Sequence, residues 1–283
     1  MTRSMPLLIT DFDRTITQED TISILAQYAY KSRGEEFSLT PPTTSLVSQH
    51  QNDLVPWWKI VKDYVEDLEK NVPPQSDDLD AVLDFTHEVE HRSLSRIEAA
   101  KIFRSLTPSS LYNEAMSLPL QPHVLDVLSH PSLTSLTYII SVNWSRDWIQ
   151  GATRGSVPKD RIISNDLEMQ GNTTTGMVIR RCVTGADKRK EMRKIREKEK
   201  KPIIYVGDSV TDLGCLVDAD VGFVFGDSTS LLTQIRRLKI ELLRSPPPPL
   251  DALLGANPGF HISPVLYKVT SWKEIGKWLE FDL

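Results

Sequence analysis

Two acidic residues follow the first apolar run of the chain. Asp11 and Asp13 come directly after residues 6–10 (PLLIT). Residues two apart at the end of a strand project to the same side, so the two carboxyl groups are expected to lie close together. Such a pair resists ionising together unless a cation lies between the groups or one of them holds a proton. The pair suits a metal-bound nucleophile beside a general acid, although a solvated strand end has the same pattern.

A second acidic pair follows another apolar run. Asp208 and Asp212 lie in the segment 207–212 (GDSVTD), directly after residues 202–206 (PIIYV). Four residues apart across a turn into a helix, both can face one point above the carboxyl edge of a sheet. Oxygen ligands of this kind suit Mg²⁺. The alternative is an Asp-Ser turn that caps a helix.

Between the acidic pairs stand a serine and a lysine with fitting chemistry. Ser141 ends the run 136–142 (LTYIISV) and is expected to begin a helix, where its hydroxyl and free backbone N–H groups could hold phosphate oxygens. Lys188 opens a basic helix and could place its ammonium against developing negative charge. Taken singly, Ser141 is an ordinary helix cap and Lys188 one solvated lysine of the charged run 188–201. The order of acid pair, serine, lysine and acid pair favours a single site.

The elements that must position these residues alternate between short apolar runs and helical patterns. The runs are β-branched and bounded by turn residues, which is typical of buried strands. Strands that alternate with helices predict an α/β fold with a Rossmann-like parallel sheet. The predicted strands are 6–10, 136–142, 161–164, 177–180, 202–206 and 221–225.

Residues 20–130 have helical apolar spacing and no strand-like run. They predict a mostly helical cap domain inserted into the α/β core, which would comprise residues 1–19 and 131–283. Two segments rich in turn residues, 31–55 and 245–261, are expected to be loops. The predicted helices of the cap are 21–30, 57–70, 79–103 and 123–130.

Composition excludes several classes of protein. The chain has 283 residues, 40% of them hydrophobic and 25% charged, as in a globular protein with a sizeable core. A net charge of −5 argues against nucleic-acid and anionic-membrane partners. Only two cysteines, Cys182 and Cys215, favour a reducing compartment. With no membrane-spanning or signal-peptide pattern, we expect a cytoplasmic protein with a small-molecule partner; oligomeric state is left open.

The two acidic pairs, with the serine and lysine between them, make the sequence resemble the phosphatase branch of the haloacid dehalogenase (HAD) superfamily. The four motifs of that family stand in its order, and residues 20–130 occupy the position of a cap inserted after the first motif. The resemblance covers essentially the whole chain. The motifs are DFDRT (11–15), Ser141 in IISVN, Lys188 in ADKRK and GDSVTD (207–212).

A closer likeness is to the domain that hydrolyses thiamine monophosphate and is fused in some proteins to a TenA-like domain. Three segments carry it: residues 205–231, the C-terminal residues 266–279 and the cap segment 90–103. The likeness to phosphoserine phosphatases is looser. Those enzymes carry Ser-Gly-Gly in the second motif, where this chain has Ser141-Val142-Asn143, which disfavours phosphoserine and leaves Asn143 as a candidate phosphate or substrate ligand.

The resemblance implies a Mg²⁺-dependent phosphomonoester hydrolase that works through an aspartyl-phosphate. Asp11 would be the nucleophile and Asp13 the general acid and base, while Thr15 would fix the loop that carries both. Ser141 and Lys188 would bind the phosphoryl oxygens. Mg²⁺ would be held by Asp11, the backbone carbonyl of Asp13, Asp208 and, directly or through water, Asp212.

The cap is expected to select the substrate by closing over the site. Its aromatic residues could stack on a heteroaromatic substrate, although at helical spacing at least half are expected in the core of the cap. Its polar residues could equally form surface salt bridges. The aromatic candidates are Tyr28, Trp57, Trp58 and Tyr64, and the polar ones are Glu19, Asp20, Arg92, Arg96 and Glu98.

Three alternatives stay open. One is a catalytically silent HAD-fold protein that binds a phospho-ligand or partner, which the complete set of catalytic residues disfavours. A phosphoprotein phosphatase would need a smaller or more open cap. A mutase usually has a differently built small cap. An aspartate at position 13 disfavours both the family's P-type ATPases, which carry threonine there, and its dehalogenases, which lack this acid.

Overall fold

Nine strands form two sheets in the computed structural model, which describes residues 5–41, 55–71, 77–255 and 265–282. Seven of them belong to one parallel sheet, in the spatial order β3-β2-β1-β6-β7-β9-β8, and β4 and β5 form a separate antiparallel pair. The strands are β1 (Leu7–Thr10), β2 (Thr137–Ile140), β3 (Ile162–Ile163), β4 (Asp166–Gln170), β5 (Thr173–Ile179), β6 (Ile203–Gly207), β7 (Val221–Phe225), β8 (Glu241–Leu243) and β9 (Val265–Val269).

The central strand β1 is buried on both faces. Leu8 packs into the core on one side of the sheet, and Leu7 and Ile9 pack into the core on the other. A strand covered on both faces has no polar alternation, which is why it reads as an uninterrupted apolar run. Both neighbours, β2 and β6, run parallel to β1, so the carboxyl ends of all three meet at one edge. The predicted Rossmann-like α/β core is confirmed.

Six of the described helices lie between β1 and β2, and six follow β2. The first six are α1 (Ile22–Ser32), α2 (Trp57–Lys70), α3 (Leu79–Asp84), α4 (His87–Ala99), α5 (Pro108–Ala115) and α6 (Val124–Leu128). The others are α7 (Arg146–Ala152), α8 (Gly185–Glu199), α9 (Leu213–Asp218), α10 (Thr229–Arg237), α11 (Leu250–Gly255) and α12 (Trp272–Trp278). No helix in the described ranges is both long and apolar enough to cross a bilayer.

The last two helices before β2 pack on helices that follow β2. Helix α5 crosses α7 so closely that a Cβ on Gly151 would lie 2.2 Å from the carbonyl oxygen of Tyr112. Glycine at this position therefore permits the crossing. Beyond α6, the ring of His130 stacks on Phe281 with centroids 3.6 Å apart. The division of the chain at residues 20 and 130 into core and cap stays a prediction.

The run 177–180, predicted among the strands of the sheet, lies in the antiparallel pair instead. It forms the end of β5, which a two-residue turn at Gly171 and Asn172 joins to β4. So short a turn can join only antiparallel strands, and Gly171 has the positive φ of 62° that such turns require. Ser105 covers the outer edge of β5, where its N–H donates to the Thr174 carbonyl.

The two predicted loops have different outcomes. Within 31–55, helix α1 continues to Ser32, and residues 42–54 lie outside the described residues. Within 245–261, the expectation of a continuous loop is wrong, because α11 begins at Leu250 directly after four prolines. Proline is compatible with the first turn of a helix, and the buried Leu250 anchors α11 to the core. Residues 256–261 also lie outside the described residues.

Candidate active site

The acidic pairs meet because β1 and β6 are neighbours in register. Ile9 is opposite Tyr205, and the Asp11 N–H donates to the Val206 carbonyl at 2.9 Å. This register places the residues after β1 beside those after β6. One carboxylate oxygen from each of Asp11, Asp208 and Asp212 lies within 4.8 Å of the others. The sheet edge therefore brings together three carboxyl groups from segments about two hundred residues apart in the sequence.

Lys188 is fully buried among these carboxyl groups. Its Nζ donates to Asp11 Oδ1 at 2.7 Å and to Asp212 Oδ1 at 2.8 Å. The lysine lies in the first turn of α8, where Thr184 and Asp187 form a reciprocal capping box. Burial disfavours the charged ammonium, but the two carboxylates outweigh burial and raise the pKa of Lys188 well above its usual value. Lys188 is thus a charged residue of the site, unlike the solvated lysines that follow it.

Asp212 accepts hydrogen bonds on both of its oxygens. Besides Lys188, Oδ1 accepts from the Tyr205 hydroxyl at 2.7 Å, and Oδ2 accepts from the Ser209 N–H at 3.0 Å and hydroxyl at 2.7 Å. A Cβ on Gly207 would lie 2.5 Å from the Asp212 carboxyl carbon, so only glycine leaves room for this side chain. The sequence analysis did not single out Tyr205. The feature that could have indicated its role is a polar hydroxyl in a strand that is otherwise apolar.

Asp208 is held by the loop that carries the first acidic pair. The Thr15 hydroxyl donates to Asp208 Oδ1 at 3.0 Å, and the buried indole N–H of Trp272 donates to the Thr15 carbonyl at 2.7 Å. Burial, then the charge of Asp212, raises the pKa of Asp208 to about 7. The same two causes, in the same order, raise the pKa of Asp11 well above its usual value.

Asp13 has a different set of hydrogen-bond partners from Asp11. Its Oδ1 accepts from the Thr21 N–H and hydroxyl, both at 2.7 Å, and its Oδ2 accepts from the Asn143 side-chain amide at 3.0 Å. Burial, then the charge of Asp20, raises the pKa of Asp13 to about 6, while these hydrogen bonds oppose the rise. Between the two acids and Thr15, Arg14 has a left-handed φ of 60°, which turns the chain sharply.

Ser141 is fully buried at the end of β2, and its Oγ accepts from the Asn143 N–H at 3.1 Å. The expectation that Ser141 begins a helix is wrong, because α7 begins at Arg146 after Ser145. A turn intervenes, in which Asn143 Oδ1 accepts from the backbone N–H groups of Trp144 and Ser145. Asparagine commonly stabilises such turns with its own side chain.

The Asn143 side chain lies against Asp13 and has no exposed surface. Its Nδ2 donates to Asp13 Oδ2 and to the Thr21 hydroxyl, the latter at 3.1 Å. Its amide therefore holds Asp13 and the turn after β2, and the role of Asn143 as a ligand to phosphate or substrate stays a prediction.

The aromatic cap candidates divide between core and partly exposed positions. Trp57 is buried and packs on Phe37 and Trp144 with centroids 6.5 and 6.4 Å away. Tyr28 is half-buried, 6.3 Å from the ring of Trp148. The two remaining candidates are also half-buried: Trp58, and Tyr64, whose hydroxyl donates to Glu90 at 2.8 Å.

Several of the polar side chains considered for substrate recognition form ion pairs within the protein. Arg92 and Arg96 both donate to Asp67, and Glu98 accepts from Arg180 at 2.6 Å. Glu19 and Asp20 are exposed at the entry to α1. Two basic residues of α8 are likewise paired: Arg189 and Arg193 each lie 2.7 Å from Asp218.

Comparison with known proteins supports this architecture. No family model matches the sequence. A substrate-bound phosphoserine phosphatase structure aligns with a TM-score of 0.54 at 12% identity, over 98% of this chain and 99% of that one. A HAD-family hydrolase from Salmonella enterica aligns with a TM-score of 0.50 at 16% identity, over 78% of this chain and 62% of that one. This chain has the HAD fold. In this HAD fold the four sequence motifs lie at one edge of the sheet.

Two curated relatives are similar in sequence to this HAD-fold chain. The mitochondrial bifunctional TH2 protein of Arabidopsis thaliana is 24% identical over 302 aligned positions, which cover 95% of this chain and 48% of that protein. A CTO1 family protein of Schizosaccharomyces pombe is 26% identical over 230 positions, which cover 74% of this chain and 78% of that protein. The chain spans about half the length of the Arabidopsis protein.

Proposed function

We propose that the chain is a Mg²⁺-dependent phosphomonoester hydrolase that acts on a small phosphorylated metabolite through an aspartyl-phosphate at Asp11. The observation that carries the proposal is the convergence of the carboxyl groups of Asp11, Asp208 and Asp212 at one place, where the buried ammonium of Lys188 binds two of them, Asp11 and Asp212. Perturbed carboxyl groups gathered at the carboxyl edge of a parallel sheet are typical of catalytic sites in this architecture.

The donor set fits a magnesium ion. Three buried carboxyl groups lie around a single ammonium, and burial, followed by the charge of Asp212, raises the pKa of both Asp11 and Asp208. Asp11 and Asp208 would hold the ion together with the backbone carbonyl of Asp13, and Asp212, whose oxygens already accept four hydrogen bonds, would reach it through water. When bound, Mg²⁺ would offset the charge that separates an anionic carboxylate from an anionic phosphate.

The residues of the chain then divide the reaction between them. Lys188 holds one oxygen of Asp11, so the carboxylate is oriented as its oxygen attacks phosphorus. As the bond from phosphorus to the leaving oxygen breaks, Asp13 gives that oxygen a proton. Asp13 then takes a proton from the water that cleaves the aspartyl-phosphate. Lys188 and the Ser141 hydroxyl bind the phosphoryl oxygens and stabilise their charge in the transition state.

We propose thiamine monophosphate as the substrate. Support comes from the three segments that resemble the thiamine monophosphate phosphatase domain, and from the similarity to half of a relative named bifunctional. The half-buried rings of Tyr28 and Trp58 supply stacking surface suited to a heteroaromatic group. The predicted cap of residues 20–130 would close over this substrate and exclude bulk water.

Phosphate release from a panel of esters tests the proposal. The panel holds thiamine monophosphate, pyridoxal phosphate, phosphoserine, nucleotide monophosphates and p-nitrophenyl phosphate, each with Mg²⁺ or with EDTA. We expect EDTA to abolish release and thiamine monophosphate to have the highest kcat/KM. Asp11→Asn should be inactive, while Asp218→Asn, the same exchange outside the site, should keep full activity. An active Asp11→Asn, or a wild type that releases phosphate from no ester, would contradict the proposal.

For location, we propose a reducing compartment and the cytoplasm in particular. Cys182 and Cys215 are both buried free thiols, as expected where disulfides do not form. The name of the Arabidopsis relative places that protein in mitochondria. Fractionation of cells that express the tagged chain separates the two compartments, and recovery in the mitochondrial matrix would correct this assignment.

A further inference from the structure

Two buried side chains outside the acidic pairs donate hydrogen bonds to the carboxyl group of Asp13, and a third donates to one of these two. Thr21 precedes the first helix of the insertion, Asn143 follows β2, and Trp148 lies in α7. Their exposed fractions are 1%, 0% and 0%. Water therefore does not compete for their hydrogen bonds, and packing fixes their positions. The segment that begins α1 and the segment that follows β2 therefore meet at the carboxyl group of Asp13.

The contacts of these side chains determine which atom donates and which accepts in each of their hydrogen bonds. Asn143 Oδ1 accepts from backbone N–H groups, so its Nδ2 must be the atom that faces Asp13 and Thr21. The indole N–H of Trp148 can only donate, and it reaches the Thr21 hydroxyl at 3.1 Å. Because the Thr21 oxygen accepts from both Asn143 and Trp148, its own hydrogen is directed to Asp13 Oδ1.

This pattern makes the two oxygens of Asp13 unequal. Oδ1 accepts two hydrogen bonds, both from Thr21, and so has no lone pair left in the carboxylate plane. Oδ2 accepts one, from Asn143, and keeps a second lone pair. We propose that Thr21, Asn143 and Trp148 are positioning residues that leave Oδ2 of Asp13 as the oxygen that carries the catalytic proton. The inference rests on the proposed phosphatase function.

The proton balance of the reaction follows. In the first step the O–H bond at Oδ2 breaks and the leaving oxygen gains that proton as its bond to phosphorus breaks. In the second step the attacking water loses a proton to Oδ2 as its oxygen bonds to phosphorus and the bond to Asp11 breaks. Oδ1 keeps both hydrogen bonds from Thr21 throughout, so the carboxyl group does not rotate between the steps.

The test compares leaving groups. An alkoxide leaving group needs the proton of Asp13, whereas p-nitrophenolate leaves without one, and kcat/KM reports only the steps up to formation of the aspartyl-phosphate. For Thr21→Val and Asn143→Ala we expect kcat/KM for the best alkyl ester of the panel to fall about 10–100-fold. The value for p-nitrophenyl phosphate should fall less than about threefold. Thr21→Ser, which keeps the hydroxyl, should restore the wild-type ratio.

A second comparison separates positioning from damage to the fold. In an Asp13→Asn background, Asn143→Ala should cause no further loss with the alkyl ester, because the proton it positions is already gone. Trp148→Phe, which removes only the donor to Thr21, provides a milder variant with an expected loss of about threefold to tenfold, should Thr21→Val fail to fold.

Equal losses with both esters, or a further loss in the Asp13→Asn background, would overturn the inference while leaving the phosphatase proposal intact. A wild type that hydrolyses neither ester would instead refute the phosphatase function, and the inference with it.

Discussion

The two acids of the first motif lie two residues apart but in opposite surroundings. Around Asp11, the neighbours are charged, with the Lys188 ammonium bound to two carboxylates in a buried cluster. Around Asp13, the neighbours that donate hydrogen bonds are neutral: a backbone N–H, a hydroxyl and an amide. We call the first group (Asp11, Lys188, Asp208, Asp212) the ionic half and the second (Asp13, Thr21, Asn143, Trp148) the neutral half.

The difference suits the two aspartates to the two roles that we propose for them. In the ionic half, excess negative charge favours a cation and a carboxylate nucleophile directed by an ammonium. In the neutral half, donors without charge fix a carboxyl group in place while burial raises its pKa to about 6, within the range useful for proton transfer. In the proposed mechanism, environment, and not residue identity, therefore separates the nucleophile Asp11 from the acid Asp13.

Lys188→Met breaks the ionic half most severely. It leaves Asp11 and Asp212 buried without their counter-charge, so we expect kcat to fall about 1,000-fold and the free energy of unfolding to fall by about 3 kcal/mol. Added Mg²⁺ should recover part of the stability but not of kcat. Steady-state kinetics and thermal unfolding with and without Mg²⁺ measure both, and a kcat within tenfold of wild type would contradict the role of Lys188.

Metal affinity distinguishes the halves directly. Asp208→Asn should weaken Mg²⁺ binding about 10–100-fold, because it removes a charged ligand. Asp13→Asn keeps its backbone carbonyl and should leave the affinity within about threefold, although kcat/KM for alkyl esters should fall about 100–10,000-fold. Calorimetric titration of Mg²⁺ into each variant provides the values. If Asp13→Asn weakens binding as much as Asp208→Asn does, the division into halves is wrong.

Tyr205→Phe tests the hydrogen bond that holds Asp212 of the ionic half in place. It removes one of the four donors to Asp212 and should lower the free energy of unfolding by about 1–2 kcal/mol. We expect kcat to fall about threefold to tenfold, since Asp212 helps to hold Lys188. Tyr138→Phe is the matched control: Tyr138, in β2, donates to Glu199 away from the site at 2.7 Å. An equal effect of both variants on kcat would argue against a role for Tyr205.

Asp218 provides a comparison for the ionic half, because charged partners also bind its carboxylate, but outside the site. Burial alone would raise its pKa, but hydrogen bonds from Arg189 and Arg193 lower it below the usual 3.8. Its contribution to stability is therefore present above pH 3.8 and lost as the pH falls through the lowered value. Asp218→Asn should cost about 1 kcal/mol at pH 7 and nothing at the acid extreme. Denaturant unfolding at several pH values measures this, and a cost independent of pH would exclude the ion pairs as its source.

Much of the fold was predictable where strands are buried on both faces. The runs 6–10, 202–206 and 221–225 coincide with β1, β6 and β7, because full burial leaves an unbroken apolar signal. Helix α2 has the predicted bounds, Trp57–Lys70. Helix α5 was missed, although Thr107 and Pro108 form a recognisable start with a capping box. Strand β4 was missed because its outer half is exposed and polar.

The motif residues of the site were predictable by chain position, but the contacts between them were not. The sequence indicated Asp11, Ser141, Lys188 and Asp208 at the ends of elements, and the structure brings the acids and the lysine together. It gave no signal that Asn143 would hold Asp13, since those residues are 130 positions apart. Partners this distant become neighbours only through the order of the strands, which local periodicity does not encode.

We propose that Asp11 forms a covalent bond to phosphorus, and trapping of that aspartyl-phosphate is the decisive test. The protein is mixed with substrate and Mg²⁺, quenched in acid within milliseconds, digested and analysed by mass spectrometry. We expect phosphate on the peptide that contains Asp11, assigned to that residue by fragmentation and absent from Asp11→Asn. Turnover with no phosphorylated peptide, or with phosphate on another residue, would contradict it.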